Sequence, residues 1–90
     1  MSSAVASVES RVITLIADYY RKHFNDEPGK ISPGHDLVAD LCFDSLSVME
    51  ILVAVEEEFG INIPELLLDE ISTVRNLVEC IDQLLSKKDN

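Results

Sequence analysis

A serine becomes an attachment point or a nucleophile only through its neighbours, and Ser45 has a suggestive set: Asp44 before it, Leu46 after it, and a helical pattern starting at the serine itself. In that register Asp44 caps the helix by accepting from the Ser47 backbone N–H. The Ser45 hydroxyl then projects into solvent at the positive end of the helix dipole, a setting that suits a phosphodiester. Nothing in the sequence supplies a general base. His23 lies before a loop and His35 within it, no pattern links either to Ser45, and there is no Gly-x-Ser-x-Gly elbow. Ser45 is therefore read as a residue that another protein modifies. Cys42, just upstream, is read as a structural loop cysteine, although a helix N-terminus can lower a thiol pKa. The histidines and acids lack metal-ligand spacing, so no metal is expected, and with no convergent acid, base and nucleophile the chain is not read as an enzyme.

The elements that must position Ser45 are helical. Val5, Val8, Val12, Ile16 and Tyr19 recur at helical spacing, widened by Leu15, Tyr20 and Phe24, and predict a first helix from about Ala4 to Phe24. Pro28-Gly29 and Pro33-Gly34 end it and open a loop that runs to Phe43, much longer than the usual helix connection of roughly 2 to 8 residues. Ile31, Leu37, Val38 and Leu41 are its expected apolar anchors. A second helix runs from Ser45 to Phe59 and stops at Gly60; Pro64 is placed at the first position of a short third helix ending near Glu70. Ser72 or Thr73 caps the last helix, whose stripe is Val74, Leu77, Val78, Ile81, Leu84 and Leu85, with Cys80 as a small core hydrophobe on its flank. The expected fold is all-α: a small four-helix bundle in one domain over residues 1–90, its core at about 4–86, with a long loop between the first two helices.

Spacing the second helix at about 100° per residue separates two apolar stripes. Val48, Ile51, Leu52, Val55 and Phe59 form the broad one, expected to face the core. Leu46, Met49 and Val53 form a narrow one rimmed by Glu50, Glu56 and Glu57, with Ser47 among the polar residues between the stripes. An exposed apolar strip framed by one sign of charge reads as a docking surface; the alternatives are that the bundle buries both stripes and that the glutamates are only a solvated face.

Charge narrows the partners. The chain has 90 residues and a net charge of -10 from 17 acidic and 7 basic residues, and the stretch from Ile31 to Ser86 carries twelve acids against Arg75 alone. That excludes a surface built for nucleic acid or anionic lipid and favours basic protein partners. With 47% hydrophobic residues the chain is expected to fold. Two cysteines and an N-terminus interrupted by Glu9 and Arg11 predict a cytoplasmic protein, and no stretch approaches the roughly 20 apolar residues needed for membrane insertion. A monomer is expected.

Asp44-Ser45-Leu46 resembles the attachment motif of the acyl carrier protein family, and the context agrees. Asp40-Leu41 lies upstream. Glu50, Glu56-Glu57-Glu58-Phe59, Ile61, Ile63-Pro64 and Thr73-Val74 follow at family spacing, so that the similarity covers about Ile31 to Leu85. The resemblance implies a stand-alone carrier in fatty-acid, lipid or polyketide-type biosynthesis, bearing acyl groups as thioesters on a 4'-phosphopantetheine arm joined to Ser45. A phosphopantetheinyl transferase would install the arm from coenzyme A. Acyl-loading and acyl-processing enzymes with basic docking patches would be the other partners. It also implies an interior acyl-chain pocket, here lined by Val48, Leu52, Val55, Phe59, Ile63, Leu77 and Ile81. Two positions depart from the family: Cys42 replaces the usual Gly after Asp-Leu, followed by bulky Phe43, and Ser47 replaces a usually acidic residue, removing a charge from the docking face. Both point to a specialised pathway. The alternatives are a stand-alone aminoacyl or peptidyl carrier and an acidic interaction module without a prosthetic group.

Overall fold

The computed structural model describes the backbone of residues 4–88 and the side chains of residues 8–87; Val5 of the predicted first stripe lies outside the described side chains. Among the described residues the chain forms four helices, α1 (Ala4–Phe24), α2 (Ser45–Phe59), α3 (Glu65–Leu68) and α4 (Val74–Lys88). Their apolar stripes converge. Val8, Val12 and Ile16 of α1, Ile51, Leu52, Val55 and Phe59 of α2, and Val74, Leu77, Val78, Cys80 and Ile81 of α4 are buried in one cluster, each large aliphatic contributing roughly 1.5–3 kcal/mol.

The helix ends follow local chemistry. Asp44 caps α2, and Gly60 ends it in the left-handed region (φ 65°, ψ 41°). Arg11 of α1 locks that end from outside: its guanidinium pairs with Glu58 Oε2 at 2.8 Å, donates to the Glu58 carbonyl at 3.3 Å, and lies 4.4 Å from the centre of the Phe59 ring. Thr73 is the cap of α4, its Oγ1 accepting from Asn76 N at 3.0 Å while Asn76 Oδ1 accepts from Thr73 N at 3.0 Å and Ser72 N at 3.1 Å, a reciprocal capping box. Pro64, expected inside α3, is instead its cap, because its ψ of 147° is extended. The helix stops at Leu68 and not near Glu70, since the following N–H groups of Glu70 and Ile71 turn back to Leu67 and Leu68 three residues earlier.

Residues 25–44 connect α1 to α2 and are pinned to the start of α4. Leu37 N donates to Ser72 O at 2.8 Å, Val74 N to His35 O at 3.0 Å and Arg75 N to Pro33 O at 2.8 Å. Ile31, Leu37 and Leu41 are buried as expected, but Val38 is 58% exposed. The reason is the turn that follows: Asp36 Oδ1 accepts from both Val38 N and Ala39 N at 2.9 Å, which folds the backbone so that Leu37 and Leu41 face inward and Val38 outward. The loop's strongest anchor is Phe43, fully buried among the rings of Tyr19, Tyr20 and Phe24 at 5.6 to 6.0 Å.

Candidate functional site

Ser45 is the first residue of α2 and exposed. It is held from three directions. Two residues upstream Phe43 is buried in the aromatic cluster, with Phe43 N donating to Leu37 O at 3.0 Å. Cys42 makes the preceding bend in the left-handed region, at φ 64°, where a side chain is strained and glycine is favoured. Downstream, Asp44 Oδ1 accepts from Ser47 N at 2.8 Å and Val48 N donates to Asp44 O at 2.9 Å. The Ser47 backbone N–H holds the Asp44 carboxyl below its ordinary range, helped by the Ser47 hydroxyl and, more weakly, by the charge of His23. Asp44 is thereby turned back onto its own helix, while the Ser45 side chain stands exposed at a helix start whose first N–H groups lack intrahelical acceptors. That arrangement fits an attached phosphodiester.

Ser47 is not on the surface. It is 1% exposed, and its Oγ lies 3.3 Å from His23 Nε2. The Ser-for-acid departure therefore does not thin the docking face; it lies beneath α1. His23, which nothing in the sequence connected with Ser45, is delivered to the first turn of α2 by this contact. Its ring stacks on Tyr19 at 5.4 Å. The signal was available only as His23 and Tyr19 one helical turn apart at the end of α1.

The two stripes of α2 separate in space. Leu46, Met49 and Val53 are 67%, 48% and 50% exposed, whereas Ile51, Leu52, Val55 and Phe59 are buried and Val48 is half-buried. Met49 and Val53, with Glu50, Ala54 and Glu57, line an open groove of about 360 Å³. The rim is less uniform than expected. Glu57 is exposed, but Glu50 accepts from the Tyr19 hydroxyl, which raises the pKa of that phenol, and half-buried Glu56 accepts from Ile63 N at 2.8 Å. Glu56 thus holds the turn after α2 in place of serving as a free rim charge.

Leu52, Val55, Phe59, Ile63, Leu77 and Ile81 are buried in the common core with Val48 packed against it. A separate cavity of about 150 Å³ lies between α3 and α4, lined by Leu67, Ile71 and Cys80 among others, and burial pushes the Cys80 thiol up. Among the described residues no group of His, Cys, Asp and Glu is placed to hold a metal, and no helix is long and apolar enough to cross a membrane.

Residues 10–81 match the family model described as the phosphopantetheine attachment site. The acyl carrier protein of Zymomonas mobilis subsp. mobilis is 39% identical over 62 residues, 69% of this chain and 80% of that protein. The acyl carrier protein of Sinorhizobium fredii is 34% identical over 79 residues, 88% of this chain and 96% of that one. In fold the chain is similar to the crystal structure of an acyl carrier protein from Thermotoga maritima, with a TM-score of 0.75 at 18% identity over 89% of this chain and 93% of that one. The helical bundle, the exposed serine at the start of α2 and these likenesses agree, and the chain belongs to the acyl carrier protein family, a carrier and not an enzyme, which serves acyl biosynthesis through a covalently bound 4'-phosphopantetheine.

Proposed function

We propose that Ser45 bears the 4'-phosphopantetheine arm. The observation that carries this reading is the exposed serine directly after Asp44, whose carboxylate is already committed to Ser47 N. Transfer forms a bond from Ser45 Oγ to the phosphorus that bears pantetheine as the pyrophosphate bond of coenzyme A breaks, releasing adenosine 3',5'-bisphosphate and the hydroxyl proton. The arm supplies a thiol that holds the acyl group as a thioester. Leu46, Met49 and Val53 form the docking strip for the phosphopantetheinyl transferase and for acyl-loading and acyl-processing enzymes; Glu57 and Glu50 attract basic patches on them. A saturated chain inserts among Val48, Leu52, Val55, Phe59, Ile63, Leu77 and Ile81, where the apolar side chains converge. The carrier works as a single-domain monomer in the cytoplasm, a reducing setting in keeping with the unpaired Cys42 and Cys80.

Mass spectrometry after incubation with coenzyme A and a broad-specificity transferase tests the attachment. Wild type should gain one arm and Ser45→Ala none; an arm on Ser45→Ala would overturn the assignment.

A further inference from the structure

Glu50 is tied across the bundle before any partner arrives. Its side chain is exposed and lines the open groove with Met49, Val53 and Glu57, yet its carboxylate accepts from the Tyr19 hydroxyl of α1. Tyr19 can hold that position because its own ring is fixed: it meets Phe43 edge-on at 5.6 Å and stacks on His23 at 5.4 Å. The same hydroxyl engages Ser47, whose side chain also has Asp44 and His23 as partners and so does not depend on Tyr19 alone. The hydrogen bond to Glu50, followed by burial, pushes the phenol above its ordinary value, which keeps it a neutral donor through the neutral range. A carboxylate offers about four acceptor sites, so a bond from one phenol leaves room for a guanidinium or ammonium group. Glu50 therefore keeps its charge while losing rotamer freedom that docking would otherwise remove. Among the described residues Glu57, about two turns further along the same groove, has no such donor.

We infer that Tyr19 is a positioning residue for partner docking: its hydroxyl presets Glu50 on the groove rim, so that an enzyme approaching with a basic patch meets an ordered carboxylate. This rests on the reading of the α2 strip as the docking surface and of Ser45 as the attachment residue. A side chain that must be ordered on binding weakens a complex by about two- to tenfold, and Tyr19→Phe, which keeps the ring and loses the hydroxyl, should shift that cost to the docking step.

The test measures kcat and KM for modification of Ser45 by one broad-specificity transferase with coenzyme A, at low salt and below the thermal midpoint of every variant. Tyr19→Phe should raise KM for the carrier by about two- to tenfold and leave kcat unchanged. The increase should vanish in a Glu50→Ala background, where no carboxylate remains to be held, and persist in a Glu57→Ala background. A tyrosine with only a structural role would act alike in both. An unchanged or lowered KM, an increase that survives Glu50→Ala, or one lost equally with Glu57→Ala would overturn the inference. Glu50→Ala without effect on KM in otherwise wild-type protein would overturn the docking role of Glu50 and the inference with it. Ser45 left unmodified in wild type and every variant would instead overturn the attachment reading itself.

Discussion

Asp44 Oδ1 accepts the Ser47 backbone N–H at 2.8 Å, so the residue just before Ser45 closes the first turn of the helix on which Ser45 stands. The contact makes the start of α2 sensitive to acid. The Asp44 carboxyl is held below its ordinary value of about 3.9, chiefly by that N–H, so the stabilisation is complete above the ordinary value and disappears as pH falls through the lowered folded value. Thermal unfolding between about pH 2 and 5 should show wild type losing more of its midpoint than Asp44→Asn, which caps without titrating. Parallel curves would show that the carboxylate is not what acid removes.

The two faces of α2 predict opposite mutational behaviour. Leu52 is 5% exposed and Met49 is 48% exposed. Leu52→Ala should cost about 2–5 kcal/mol in urea unfolding, while Met49→Ala should stay within about 1 kcal/mol. The order reverses in kinetics of Ser45 modification, where Met49→Ala loses rate. Equal destabilisation by the two substitutions would mean that Met49 also serves the core.

Cys42 occupies a left-handed backbone at φ 64°. Glycine adopts that conformation without strain, a gain of about 1–2 kcal/mol partly offset by its greater freedom when unfolded, about 0.4–1 kcal/mol. Cys42→Gly should therefore raise stability by up to about 1.5 kcal/mol, and a loss of stability in urea unfolding would show that the thiol contributes packing beyond its exposed position.

Arg11 reaches the end of α2 through Glu58 and the Phe59 ring. Arg11→Met keeps the aliphatic stem and removes the charge, and should cost about 1 kcal/mol or less, most of it at low salt. Equal losses at about 0.05 and 0.5 M salt would assign the effect to packing.

Occupancy of the proposed interior site by an acyl chain stabilises the folded state alone, so the acylated protein should unfold at a higher temperature than the form carrying only the arm. Identical midpoints would place the chain in solvent.

The limits of α1 and α2, the Asp44 and Gly60 caps and the division of α2 into two apolar stripes were legible in the sequence because each depends on neighbours within one or two turns. Helical geometry sets Leu52 at the edge of the broad stripe and Met49 at the facing edge of the narrow one, about 60° apart, and the packing of the other helices decides that Leu52 is the buried one. Val38 and the limits of α3 differed because of local turns, and the other differences arose where the fold brings a partner to a residue. Ser47 reads as a surface serine until α1 lays His23 across it, Glu56 as a free rim charge until the turn after α2 brings Ile63 N to its carboxylate, and Phe43 as an oversized loop residue until Tyr19, Tyr20 and Phe24 close around it. Helical spacing specifies which side chains share a face of one helix. It does not specify the angle at which a second helix crosses that face, and this angle, decided by how the whole core packs, determines which polar residues of α2 are covered and which remain for a partner.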